Sequence, residues 1–260
     1  MTRITWPRAL AMVGVGLVAG YLSGLFGVGG GVVVVPFLVW LGYDIKRASA
    51  VSLGAVLLSA IAGVITYAAT GHVDWVLALL LALGSVAGAQ LGSRLLGKLP
   101  ARTIQLGFAV FMLLAAVSLL FTVPSRSGSV HIDLLSAVLA VVLGFVVGVL
   151  SAILGIGGGV MIVPALILGF GANDLVARGT SIATMIPTSI SGTIGHIRAG
   201  RADLLASLFV GLGAVSTTTL GALTAKALDP RVGNVLIGVL LVAMAIQLAW
   251  RARRRTVDTN

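Results

Sequence analysis

A chain of 260 residues with 58% apolar and only 9% charged residues, at a mean hydropathy of +1.15, cannot cover a soluble surface. Soluble domains carry about a quarter charged residues. The formal charge of +10 would suggest nucleic acid in a soluble protein. Here the basic residues fall in short loops and at the termini, where topology and the anionic headgroups of a lipid bilayer account for them, so no nucleic-acid partner is expected. The absence of cysteine excludes disulfides, thiolate nucleophiles and Cys metal sites.

In chain order, Arg3 and Arg8 followed by an apolar run resemble a signal peptide. No A-x-A site precedes Val18, so the segment is expected to stay as a membrane span. The apolar runs are roughly 9–26, 31–41, 48–69, 74–92, 103–122, 134–154, 159–170, 177–197, 204–225 and 232–250. A full helical crossing takes about 20 residues. Runs 31–41 and 159–170 are too short for that and fit half-helices. The loops are short and rich in Gly, Asp, Asn and Pro, which leaves no room for a soluble domain. Residues 1–123 and 133–260 form two transmembrane repeats, with 124–132 as the linker.

The repeats rest on one stretch that occurs twice. Residues 18–38 (VAGYLSGLFGVGGGVVVVPFL) and 146–166 (VVGVLSAILGIGGGVMIVPAL) are identical at twelve of twenty-one positions at an offset of 128. With one inserted residue, Ser52 meets Ser181, Gly63 meets Gly192, Gly71 meets Gly200 and Asp74 meets Asp203. A glycine run inside an apolar segment breaks a helix. In a membrane such a break is tolerable only where it is buried in protein or lines a watery cavity. Paired broken segments in two halves point to a transporter binding site.

Loop charges choose the topology. If each broken segment made a single crossing, Lys plus Arg would divide nine to eight across the membrane. If each goes in and returns as a hairpin, the division is thirteen to four, as the positive-inside rule expects. The expected fold is therefore an all-α polytopic membrane protein of two inverted repeats. Each repeat is a glycine-broken hairpin of short helices plus three membrane crossings, and both termini are cytoplasmic.

The chain contains no glutamate, and all seven aspartates fall in loops or the tail by this reading. Cation pumps and sodium-coupled carriers usually hold an intramembrane carboxylate. Helix N-termini at Gly29, Gly30, Gly31 and Gly157, Gly158, Gly159 would instead aim N–H groups at an anion. Hydroxyls of Ser23, Ser52, Ser151, Thr180, Ser181, Thr184, Thr188 and Ser191 could add neutral donors. For any single hydroxyl, helix packing or back-bonding is the preferred reading. The 180–191 cluster (TSIATMIPTSIS) is denser than packing requires, and Pro187 frees a carbonyl within it. His196 reads equally as a proton relay or an interfacial residue, whereas Arg198 reads as a topology charge. Tyr67 takes the place of His196 in the first half.

Other motifs fail on context. Gly14–Ala19 matches G-x-G-x-x-A without a preceding strand, no G-K-[ST] follows either glycine triplet, and Ser189–Ser191 lack a facing base. No cofactor, metal or catalytic residue is expected. A homo-oligomer is compatible with the sequence and not required by it.

The two G-x-G-G-G elements, each followed by proline, the stretch GTSIATMIPTSISGTIGHIRAGRAD at 179–203 and the chain length resemble the sulfite exporter TauE/SafE family. The resemblance covers both halves. It implies secondary transport of sulfite, thiosulfate or an organosulfonate such as sulfoacetate across the plasma membrane. The first half departs from it with Val51 in place of Thr180 and Tyr67 in place of His196. The rival expectations are a membrane-embedded enzyme acting on a lipid or peptide, and a non-transporting assembly subunit.

Overall fold

A computed structural model describes residues 6–121 and 132–254; all of the 124–132 linker except its last residue lies outside them. The described residues form ten helices: α1 (Trp6–Phe26), α2 (Gly31–Trp40), α3 (Ile45–Ala68), α4 (Trp75–Lys98), α5 (Ala101–Phe121), α6 (Leu134–Leu154), α7 (Gly159–Phe170), α8 (Asp174–Arg198), α9 (Leu204–Ala227) and α10 (Pro230–Arg254). Six of them, α1, α3, α4, α5, α6 and α9, are long and apolar enough to cross a membrane. α8 is as long but polar, with four buried threonine or serine hydroxyls between Thr180 and Thr188 alone. It tolerates them because α3, α4, α6 and α7 surround it. The arms of each hairpin are unequal: α1 and α6 have 21 residues, whereas α2 has 10 and α7 has 12.

Most of the loop aspartates have a plain structural role. A helix leaves its first N–H groups without partners, and a short acceptor at the N-cap satisfies one. Asp44 accepts from Lys46 N–H at 3.0 Å, and its repeat equivalent Asn173 accepts from Val176 N–H at 2.8 Å. Asp74 and Asp203, also equivalents, accept from Leu77 and Ala206 N–H at 3.0 and 3.1 Å. Asp133 forms a reciprocal capping box with Ser136 at the start of α6.

Glycine stripes set the closest packing. A Cβ on Gly16, Gly20 or Gly24 of α1 would stand 2.0–2.1 Å from carbonyl oxygens of Val210, Ala214 and Thr218 in α9. Gly84, Gly88 and Gly92 of α4 meet Val141, Phe145 and Val149 of α6 in the same way. Lipid gives apolar side chains no reason to associate, so close backbone approach through small residues holds such helices together.

The contacts also give helix directions. Along α3 and α8, Gly54 lies near Thr193 and Gly63 near Ile182, so these equivalents run antiparallel. α3 runs parallel to α9, with Gly54 at Ser207 and Gly63 at Thr218. α8 runs parallel to α4, as Asp74–Thr180, Ser85–Thr188 and Gln90–Ser191 show.

Candidate functional site

Both glycine breaks adopt one backbone path. Gly27, Gly29 and Gly30 have φ of +70°, +85° and +63°, and Gly155, Gly157 and Gly158 have +73°, +83° and +97°. Only glycine takes this region without strain. The breaks cross in direct contact and in opposite directions. A Cβ on Gly31 would stand 2.2 Å from the Gly155 carbonyl oxygen, and one on Gly159 would stand 2.2 Å from that of Gly27. Midway, Met185 packs on Gly29, and its equivalent Val56 packs on Gly157. The space between the two breaks, where the N–H groups of Gly29–Gly31 and Gly157–Gly159 are expected from the sequence to aim at an anion, is occupied by backbone and these two side chains.

Each break exposes the last carbonyls of a helix, and side chains from α3 and α8 satisfy them. The Ser52 hydroxyl donates to the Gly155 carbonyl at 2.6 Å, and the Ser181 hydroxyl donates to that of Gly27 at 3.0 Å. The Tyr67 hydroxyl donates to the Gly24 carbonyl at 2.8 Å. His196, its equivalent, sits with Nε2 3.0 Å from the Ala152 carbonyl. A carbonyl only accepts, so this nitrogen carries the proton, and Nδ1 is buried without a partner. Thr184 and Thr188 donate to Thr180 and Thr184 carbonyls one turn back at 2.9 and 2.7 Å. Thr180 accepts from Asp74 N–H at 2.9 Å, and Ser191 donates to the Val86 carbonyl at 2.7 Å. The protons of Ser52, Ser181, Thr184 and Ser191 are thus engaged with backbone, and the Thr188 hydroxyl also lies 2.6 Å from that of Ser85.

Ser23 and Ser151 differ. Each is 1% exposed, and neither hydroxyl has a partner. They are repeat equivalents near the starts of α2 and α7, whose N-caps Gly30 and Gly158 provide no side-chain cap. Gly158 packs against Val147 and Ser151, while Gly30 packs against Ala19, one turn before Ser23. Two helix N-termini without a side-chain cap, each with a buried unpartnered hydroxyl nearby, can hold an oxyanion.

Two charged residues escaped the sequence reading. Asn173 takes the N-cap, so Asp174 is not a loop residue but begins α8, fully buried. Its carboxylate lies 3.4 Å from the guanidinium of Arg178 one turn on, which is 5% exposed and donates to the Leu25 carbonyl at 2.6 Å. Arg178 is therefore more than a topology charge. A periodicity check running through the N-cap would have found it, since positions 174 and 178 share the face of Ser181. Arg198 is exposed, whereas Arg201 reaches back to the Ser93 carbonyl.

Paired broken helices inside a bundle of apolar crossings define a multi-pass membrane protein built as a transporter. The chain belongs to the sulfite exporter TauE/SafE family, whose model matches residues 2–119 and 140–260. It is 26% identical over 263 residues to the Bacillus subtilis (strain 168) protein named "Probable membrane transporter protein YunE", covering 92% of this chain and 96% of that one. It is 29% identical over 258 residues to a Xylella fastidiosa (strain 9a5c) "Probable membrane transporter protein", covering 96% and 98%. A shorter match, 34% over 100 residues, joins 35% of the chain to 38% of the Methanocaldococcus jannaschii protein MJ0441, which bears the same description. The family and these relatives are membrane transporters by description, not enzymes. No solved structure matches the chain.

Proposed function

We propose that this chain is a secondary transporter carrying a small sulfur-containing anion, such as sulfite, thiosulfate or sulfoacetate, across the plasma membrane. Its halves act as inverted repeats, and both termini are cytoplasmic. The antiparallel course of α3 and α8, together with the thirteen-to-four charge division, supports the topology. The family description supports the substrate class. The observation that carries the site is the pair of uncapped helix starts, each beside an unpartnered buried serine. Substrate binds there when the crossing opens and exposes the N–H groups of α2 and α7. Gly29–Gly31 and Gly157–Gly159 form the backbone cradle. Ser52, Ser181, Thr180, Thr184, Thr188 and His196 shape it by holding the carbonyls and the loop around it.

Purified protein in liposomes is offered labelled sulfite, thiosulfate and sulfoacetate. Wild type accumulates at least one of them. Ser23→Ala with Ser151→Ala weakens binding about ten- to hundredfold, because a hydrogen bond to a charged group is worth roughly 1.5–3 kcal/mol, and leaves the melting temperature unchanged. Silence of folded wild type toward all three anions sinks the transport reading. Normal binding by the double variant moves the site elsewhere. For topology, a cysteine at Ser127, outside the described residues, should label from the exterior of intact cells; labelling only after permeabilisation would overturn the inverted arrangement.

A further inference from the structure

We propose that anion movement is coupled to a proton taken up by His196, on the imidazole nitrogen Nδ1 that the fold leaves buried and unpartnered. This rests on the transport reading above and adds the coupling ion and the residue that binds it.

The two halves use different chemistry for the same structural task. Tyr67 and His196 are repeat equivalents, both fully buried. Each holds a carbonyl in the last turn of a broken helix, Gly24 in α1 and Ala152 in α6. The phenol does this with its only polar atom. The imidazole does it with Nε2 and keeps a second nitrogen, Nδ1, which has no hydrogen-bond partner. With Nε2 protonated, Nδ1 is a bare lone pair shut away from water. Burying such an acceptor costs free energy, and Tyr67 shows that the cap does not require it.

The end of α6 gathers two more groups of this kind. Ser151 directly precedes Ala152, and the backbone of Ser49 in α3 packs on Gly155; both hydroxyls are buried without a partner. At the first break the equivalents of Ser49, Ser151 and His196 are Arg178, Ser23 and Tyr67. Arg178 and Tyr67 are engaged with the Leu25 and Gly24 carbonyls, so of that set only Ser23 has no partner. The unspent polar groups therefore concentrate at the second break, and one of them titrates.

The step balances. When the crossing opens, Nδ1 takes one proton from water and forms one N–H bond, while Nε2–H stays on the Ala152 carbonyl. The carbonyl end of α6 favours a positive charge there. The anion cradled at Gly157–Gly159, a few residues further along the chain, provides the counter-charge. At low dielectric that attraction acts over several ångströms without contact. On release, anion and proton leave to the same side. Each makes the other's burial affordable, which is what couples them.

No protein carboxylate takes the anion's part: among the described residues, none stands at ion-pair distance from His196. α3, α4, α6 and α7 pack against α8. At the His196 end α3 contributes Lys46 and Arg47 and α4 contributes Arg94 and Lys98, whereas α6 and α7 carry no titratable side chain. Lys46 donates to the Gly97 carbonyl at 3.1 Å. Arg201, whose backbone N–H donates to the His196 carbonyl, turns its guanidinium to Ser93, and Arg198 is exposed. The acids at this end, Asp44 and Asp203, cap α3 and α9. Tyr67, His72, Asp74, Asp174 and Arg178 belong to the opposite end of α8.

The test uses the full chain with thiosulfate and sulfoacetate, which stay anionic between about pH 5 and 8, where histidine titrates. Affinity is measured across this range, and proton uptake on binding is followed near neutral pH with a pH-sensitive dye in weak buffer. Wild type takes up one proton with whichever anion it binds, and binds up to about tenfold more tightly per unit fall in pH. His196→Gln keeps a donor for Ala152, and His196→Tyr copies the first half. Both melt near wild type and bind with pH-independent affinity and no proton uptake; should the tyrosine misfold, the glutamine variant decides. His72→Gln keeps the uptake and the pH dependence. Anion binding by wild type without proton uptake, or uptake persisting in His196→Gln, overturns the coupling role and leaves the transport reading standing. Failure of folded wild type to bind any sulfur anion removes the transport reading itself, and the coupling with it.

Discussion

The two halves hold their breaks by one plan and depart from it at two places. Both cap a helix-end carbonyl with a residue near the end of α3 or α8: Tyr67 onto Gly24, His196 onto Ala152. Both cap the first glycine carbonyl of the opposite break with a serine, Ser181 onto Gly27 and Ser52 onto Gly155. The departures are Asp174 and Arg178 against Ile45 and Ser49, and Met185 against Val56. What is shared answers a demand that lipid makes of any broken helix, that every freed carbonyl find a donor. What differs answers no such demand, and it is where the asymmetry of transport is to be sought.

The most severe way to break the comparison is to stop the two breaks from crossing. Gly31→Val and Gly159→Val each drive a side chain into the opposing backbone at 2.2 Å. Overpacking of this kind costs about 3 kcal/mol, besides any effect on transport. Both variants should lose a monodisperse peak on size exclusion and melt far below wild type. If one survives and the other does not, the halves do not share the crossing equally.

Removing the cross-half caps comes next. Ser52→Ala and Ser181→Ala each leave a buried carbonyl unsatisfied, at a cost of about 1–3 kcal/mol. The shorter bond of Ser52, 2.6 Å against 3.0 Å, makes it the larger loss in a detergent melt. Unchanged melting in both would show that these hydroxyls serve substrate rather than backbone.

Within one half the expected effects are smaller. Tyr67→Phe should cost about 1 kcal/mol, whereas His196→Gln, which keeps a donor, should cost less. Equal losses would imply that the Ala152 carbonyl needs the imidazole itself. Smallest is the pH response of the α6 cap, a feature of the second half. The Ser136 hydroxyl, and then its backbone N–H, hold Asp133 below the usual carboxylate range. Because the folded pKa is depressed, the stabilisation is complete above the unfolded value and is lost as pH falls through the folded one. A slight drop in melting temperature below about pH 4, absent in Asp133→Asn, would show it.

The sequence by itself determined the class, the duplication and the place of the breaks. The bilayer allows few solutions: an apolar run of crossing length must be a helix, and glycine triplets in matching runs must interrupt two of them. Loop charge favoured a hairpin at each break over a single crossing. What each polar side chain does was decided only by tertiary structure. Ser52 meets its acceptor 103 residues away and Ser181 meets its own 154 residues away, so no local pattern separates them from Ser23 and Ser151, which have no partner. Asp174 and Arg178 look like loop charges until α1 and α8 come together and take them out of water. A residue's chemistry is written in the chain; whether its proton or charge is already spent depends on what the fold brings against it.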